Sequence, residues 1–202
     1  EPALTLPVWV AAIDPSRLAG TLVVAPLVNL SGFEFEQVAN AWDGRDLNEL
    51  GAGREDGTAS ERLLHVYRTQ VLERADAVID VRTGSQWGYY RYAGVHEVGT
   101  PERISASIEL ASAMGLPHAA SNEPVDATFG GAVAAEGRPL VTLWIGGGPG
   151  LRDNRERDAS DLRRALDASL RHLGMHEDAV APSRSQRVRI HTVLRPVGAR
   201  GL

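Results

Sequence analysis

Apolar positions recur along this chain with two periods, and the switches between them mark the elements. Residues 2–12 are almost wholly apolar and are closed by Asp14-Pro15-Ser16, which predicts the end of a first helix. Thr21 to Val28 is β-branched and apolar on both faces, the pattern of a buried strand. Residues 30–57 are rich in Gly, Asp, Asn and Glu without a sustained period and read as a long surface excursion. Thr58-x-x-Glu61 forms a capping box, after which Leu63, Tyr67 and Val71 recur at helical spacing. A strand over Ala77–Val81 follows directly. Thr100-Pro101-Glu102 opens a further helix with Ile104, Ile108 and Ala111 on one face and Gly115 as its stop. Leu116–Ala120 and Leu140–Ile145 read as strands. A last helix from about Ser160 to Leu173 turns Leu162, Leu166 and Leu170 inward and is capped by Gly174. Arg187–Leu194 alternates polar and apolar residues, as an exposed strand does.

Strands alternating with helices indicate a layered α/β domain with a mostly parallel sheet. With 202 residues, 43% hydrophobic and 23% charged, the chain suits one domain with a full core, or one domain plus a fragment. The net charge of −5 argues against nucleic acid or an anionic membrane as the main partner, and all 21 cations are arginine. The absence of cysteine excludes disulfides, thiolate metal sites and cysteine nucleophiles. No apolar run approaches the roughly 18–20 residues of a membrane span. No basic-then-apolar leader is seen, so the cytoplasm is the default location.

Four segments carry a family pattern in order and spacing. Leu18 to Asn29 ends an apolar stretch in Pro26-x-x-Asn29, and Asp43-x-x-Asp46-Leu47-Asn48 lies in the excursion. Ala75 to Asp80 leads into Asp80-Val81-Arg82-Thr83-Gly84, and Gly137 to Gly147 includes Thr142-x-Trp144-x-Gly146-Gly147. Together they resemble the succinylglutamate desuccinylase/aspartoacylase family, zinc-dependent amidohydrolases related to carboxypeptidases. The resemblance implies a carboxypeptidase-like αβα domain with a mostly parallel mixed sheet over residues 1–182. Residues 183–202 then resemble the start of the family's C-terminal β region. The chain opens inside an apolar segment, as though trimmed at its N-terminus.

The same resemblance places reactive groups where this chain has others. Arg82 stands at the position of the zinc-binding histidine, and a guanidinium has no lone pair to offer a cation. Trp144 stands at the position of the glutamate that acts as general base, and Glu49 at that of an arginine holding the substrate carboxylate. No His-x-x-Glu pair occurs in the sequence. A catalytic zinc needs about three protein ligands and an open position. The reading is therefore metal-free, with no cofactor. Candidate ligand-binding residues are Arg82, Trp144, Asn48, Glu49, Asp46 and Thr83, with no catalytic residue assigned. Arg82 and Glu49 are expected to form an ion pair, Trp144 to fill the vacated space, and Asp46 and Asn48 either to bind ligand or to cap their loop.

The remaining motifs read blandly. His65, His118, His172, His176 and His191 are single residues, and His96-Glu97 is a chance echo of a ligand segment with the wrong spacing. Gly146 to Gly150 lacks the lysine of a phosphate loop and reads as a flexible turn after a strand. Arg152 to Asp158 mixes signs and reads as a solvated face. The functional expectation is a degenerate family member acting as a small-molecule-binding or scaffold subunit, homo-oligomeric or paired with an active paralogue. The alternatives are a repurposed metal-independent enzyme, performing cyclisation or isomerisation, and a zinc-dependent N-acyl amino acid deacylase missing its first ligand motif.

Overall fold

Helix α1 (Pro2–Ala11) turns Thr5, Leu6 and Trp9 inward, and the Trp9 indole donates to Asp167 Oδ1 at 2.7 Å. Asp14 then accepts from the Ser16 N–H and starts a 3-10 turn over Pro15–Arg17, so the first helix and its closing turn fall where the sequence puts them. The computed structural model describes residues 2–84, 88–121, 128–148, 155–176 and 187–189.

Residues 21–28 depart from the expected strand. The chain there joins no ladder among the described residues. Leu22 and Val24 pack on the core while Val23 faces solvent. Alternation here reflects a segment laid over a core surface, with no neighbouring strand to take its N–H groups. The long excursion holds a short helix, α2 (Leu30–Glu34), and a 3-10 turn over Leu47–Glu49.

Helix α3 (Ala59–Gln70) is capped twice. Thr58 and Glu61 make both bonds of the capping box. The Asp43 carboxylate reaches in from the excursion and accepts from the Ser60 N–H and hydroxyl, each at 2.7 Å. Burial opposes ionisation of Asp43, but the bonds from Ser60, Thr58 and the Arg45 backbone outweigh it and bring its pKa from 3.8 to about 2. A depressed carboxylate pKa means stabilisation present above pH 3.8 and lost as the pH falls towards 2. Asp43→Ala should cost about 0.5–2 kcal/mol at neutral pH, as loss of a helix cap does. Urea titrations of both proteins should show that difference shrinking below pH 3.8; a pH-independent difference would contradict the assignment. The inner residue of α3 is Leu64, one position beyond the expected Leu63, and Tyr67 stacks on Phe129 at 6.4 Å.

Among the described residues, five strands form one sheet in the order β1-β4-β2-β3-β5: β1 (Val78–Arg82), β2 (Tyr89–His96), β3 (His118–Ser121), β4 (Leu140–Gly147) and β5 (Arg187–Arg189). β1 and β4 run parallel, β2, β3 and β5 run parallel to one another, and the β2–β4 seam is antiparallel. The mostly parallel mixed sheet is therefore as expected. Its central strand β2 is not, because no strand is predicted between Val81 and Leu116. The last stretch, residues 190–194, lies outside the described residues.

One face of the sheet carries Ile79, Val81, Ala93, Val95, Val141, Leu143 and Ile145 into the main core. Helices α1, α4 (Pro101–Ala113) and α6 (Arg155–His172) cover it. On α4 the deepest residues are Leu110 and Ala111, with Ile108 partly buried beside them. α6 begins five residues before the expected start, and Asp158 and Asp161, in and beside the run taken for a solvated face, are buried. It closes at Gly174 (φ +69°), where the Met175 N–H bonds Leu170 O and the Gly174 N–H bonds Arg171 O. The second face is covered at one end by α5 (Phe129–Ala135), whose Phe129, Val133 and Ala134 meet Val78, Leu140 and Leu72. The result is a three-layer αβα arrangement. Among the described residues no helix is long and apolar enough to cross a membrane.

Candidate functional site

Strand register lines up the candidate site on the second face of the sheet. Arg82 pairs with Trp144 and Trp144 with Tyr92, while Asp80, Thr142 and Gly94 form the row beside them. Successive side chains alternate between faces, so all of these residues point away from the main core.

The row is closed by its own contacts. Arg82 Nε donates to Asp80 Oδ2 at 2.7 Å, and Nη2 reaches the same oxygen at 2.5 Å. The guanidinium carbon lies 5.6 Å from the centre of the Trp144 ring, within cation–π range. On the other side of Trp144 the Tyr92 ring stacks at 6.3 Å with 16° between planes. Tyr90 meets Trp144 edge-on at 5.5 Å and Tyr92 at 6.2 Å. Guanidinium, indole and phenol thus form a ladder across three strands, ordered by register alone.

The expected Arg82–Glu49 pair does not form. Asp80 lies two residues from Arg82 on the same strand, hence on the same face and within reach, whereas Glu49 is exposed. Asp46 Oδ1 accepts from the Asn48 N–H at 2.9 Å and so caps the turn over Leu47–Glu49. Asn48 Oδ1 is buried there without a hydrogen-bond partner. That turn packs against α3 and α5, and no described hydrogen bond or ion pair joins it to Arg82 or Trp144. Thr83 is exposed beside Gly146. The structure brings Arg82 and Trp144 together and leaves Asp46, Asn48 and Glu49 as a separate group.

His96 is the residue that sequence reasoning missed. It sits buried at the end of β2, and its Nε2 shares a hydrogen bond of 3.3 Å with Thr142 Oγ1. A Cβ added at Gly130 would lie 3.0 Å from His96 Nε2 and 3.6 Å from Arg82 Nη2, so imidazole and guanidinium converge beneath α5. Recognition of Tyr89–His96 as a strand, with His96 sharing the face of Tyr92, is the signal that would have found it. Nearby, burial and the negative charge of Asp80 raise the Tyr67 pKa above 10.0. Burial and the 2.7 Å bond to Asp158 do the same for Tyr89.

The glycine run after Trp144 is no flexible turn at its start. Gly146 and Gly147 are the last residues of β4, and Gly147 (φ +97°) is wedged against the Gly88 carbonyl and against Gly84 Cα. Pro149 and Gly150 lie outside the described residues.

Zinc is the group the fold implies, and these residues do not fit it. The position that would supply a ring nitrogen supplies a cation already bonded to Asp80, and the position of the base supplies an indole. Among the described residues no three His, Asp or Glu side chains come close enough to hold a metal ion. Chemically, the arrangement offers a charge-compensated ion pair, an aromatic ladder and one buried imidazole.

Comparison with known proteins agrees with the architecture. Residues 1–173 match the succinylglutamate desuccinylase/aspartoacylase catalytic domain. The chain is 25% identical over 161 residues to the Nα-acetyl-L-2,4-diaminobutyric acid deacetylase of Halomonas elongata, covering 78% of this chain and 46% of that protein. The product-bound ectoine utilization protein EutE (DoeB) of Ruegeria pomeroyi superimposes with a TM-score of 0.83 at 21% identity, over 94% of this chain and 58% of that one. A succinylglutamate desuccinylase/aspartoacylase from Rhodobacter sphaeroides gives 0.79 at 23% identity, over 94% and 59%. The chain thus spans about half the length of the curated relative and under two thirds of these structures. On the match over residues 1–173 and the αβα sheet, this chain belongs to the succinylglutamate desuccinylase/aspartoacylase family.

Proposed function

We propose that this chain is a non-hydrolytic member of its amidohydrolase family, serving as a small-molecule-binding or scaffold subunit. The observation that carries the reading is the Arg82–Trp144–Tyr92 ladder with Asp80 as the counter-charge. Hydrolysis of an amide by a metal-activated water needs a cation that polarises the carbonyl and a base that takes the water's proton. Arg82 is a cation, but two of its donors are spent on Asp80 and its ring-facing side is covered by Trp144. Trp144 has no basic atom. The same engagement of Arg82 argues against its use as a free oxyanion donor in metal-independent chemistry, which needs preorganised N–H groups aimed at the developing charge. The exposed ring of Tyr90, edge-on to Trp144, leaves a surface on which a flat or apolar ligand can stack.

The test is a hydrolysis assay with the purified chain, added zinc, and a panel of N-acyl amino acids that includes Nα-acetyl-2,4-diaminobutyrate. No turnover above the protein-free rate is expected. Zinc-dependent turnover that disappears in a Trp144→Ala variant would overturn the proposal.

A further inference from the structure

The loop from Asn29 to Asp46 is built inside out. Phe33, Phe35 and Trp42 are 55%, 68% and 77% exposed, with Leu30 and Val38 exposed beside them, whereas Ser31, Gly32 and Asn40 are buried. Polar bonds hold this inversion. Asn40 Oδ1 accepts from the Ser31 hydroxyl at 2.8 Å and from the Trp42 N–H at 3.0 Å, and the Ser31 hydroxyl accepts from the Ala41 N–H at 3.0 Å. Asn29 accepts from the Gly32 N–H and donates to Val38 O. Gly32 admits no side chain, because a Cβ there would meet the Asn29 amide and lie 2.9 Å from the Gln37 carbonyl oxygen. Asp43 anchors the far end to α3 through Ser60. A fixed backbone therefore presents the rings.

Three aromatic side chains of roughly 150–250 Å² each, more than half exposed, leave open an area of the size at which an apolar patch marks an interaction site. Aromatic side chains held outward in this way are what binding hot spots use. Carboxylates are interleaved with them. Glu34 and Glu36 flank Phe35 on the chain, both are exposed, and no described hydrogen bond or ion pair engages either carboxylate. Residues 30–49 hold five acidic side chains against the single cation Arg45.

This charge pattern selects the occupant. Phosphate backbones and anionic lipid are repelled by it. A two-fold contact of the loop with its own copy would set Glu34 and Glu36 against like charges. A wholly apolar partner would take both carboxylates out of water without a counter-charge. Arginines set among apolar side chains satisfy both requirements, since a guanidinium stacks on a ring face and its N–H groups reach a flanking carboxylate.

We propose that the loop Asn29–Asp46 docks a segment of a partner protein in which arginines alternate with apolar residues, the arginines lying over Phe35 and Trp42 and pairing with Glu34 and Glu36. No described hydrogen bond or ion pair links this loop to Arg82 or Trp144. The docking surface is independent of whether the Arg82 site is hydrolytic, so the two proposals fail separately.

A dye-labelled synthetic peptide of alternating arginine and leucine, titrated with the whole chain, tests the contact by fluorescence anisotropy. Saturable binding is expected, about tenfold or more tighter than that of the glutamate–leucine and arginine–serine counterparts. It should weaken about tenfold between roughly 0.1 M and 0.5 M salt. Phe35→Ala/Trp42→Ala and Glu34→Gln/Glu36→Gln should each weaken it about tenfold. Both variants should keep the wild-type circular dichroism spectrum, because all four side chains are exposed. The glutamine variant should also lose most of the salt dependence. A peptide that does not bind, equal binding of either counterpart, or binding that either variant retains overturns the proposal. So does preferential binding of the chain to phosphatidylglycerol vesicles, which would assign the loop to a membrane surface. Dimerisation in sedimentation velocity that Phe35→Ala/Trp42→Ala abolishes overturns it too, by assigning the loop to a second copy.

Discussion

Gly147→Ala is expected to lower the melting temperature by roughly 6–12 °C, about 3 kcal/mol or more of lost stability in a domain of this size. Two effects add. At φ +97° any L side chain is strained. In addition, a Cβ there would meet the Gly88 carbonyl and would lie 2.5 Å from Gly84 Cα, so backbone must move. The strands that bear Arg82 and Trp144 end at this crossing, so its loss also loosens the site. Gly174→Ala separates the two effects: φ is +69° there but nothing lies within 4 Å. That variant should lose only about 1–2 kcal/mol. Differential scanning calorimetry of the two variants is the check. Equal losses would show that crowding at Gly147 is not what holds the β4 end.

The second large effect concerns the ion pair. Asp80→Ala leaves Arg82, whose side chain is 17% exposed, without its counter-charge beneath α5. A fully buried pair would lose about 3–5 kcal/mol on such a change; partial exposure of both partners reduces the expected loss to about 1–3 kcal/mol. Arg82→Met should cost a comparable amount, since it strands Asp80 and removes the cation from Trp144. The double variant Asp80→Ala/Arg82→Met should recover most of the loss, because neither charge is left alone. A double-mutant cycle by chemical denaturation should give a coupling of about 1–3 kcal/mol. Additive losses would mean that Asp80 and Arg82 do not act as a unit.

Much of the fold was legible because local signals agreed with one another. The Thr58–Glu61 box, Pro101 at the start of α4 and the leucines of α6 each name a boundary or a face, and each is found. Strand β2 was not legible. Tyr89-Tyr90-Arg91-Tyr92 alternates no simple apolar and polar pattern, because one face meets the aromatic ladder while Arg91 on the other is tied to the buried Asp161. Missing β2 also hid His96 and Tyr92. The opposite error at Thr21–Val28 has the same root: a run apolar on both faces reports contact with a core, whereas a strand also needs a partner to bond. At the site, the identities of Arg82 and Trp144 were readable from their place in the family pattern. Their contacts were not, since the choice of Asp80 over Glu49 is settled by strand geometry rather than by the order of motifs.

The central claim is that Arg82, Asp80 and Trp144 stand in place of a metal centre. It is tested most directly by zinc content. The purified chain is to be incubated with excess zinc at neutral pH, passed through a desalting column, and assayed by inductively coupled plasma mass spectrometry. The predicted result is zinc far below one ion per chain, the same for wild type and Arg82→Ala. One tightly held zinc per chain in the wild type would contradict it.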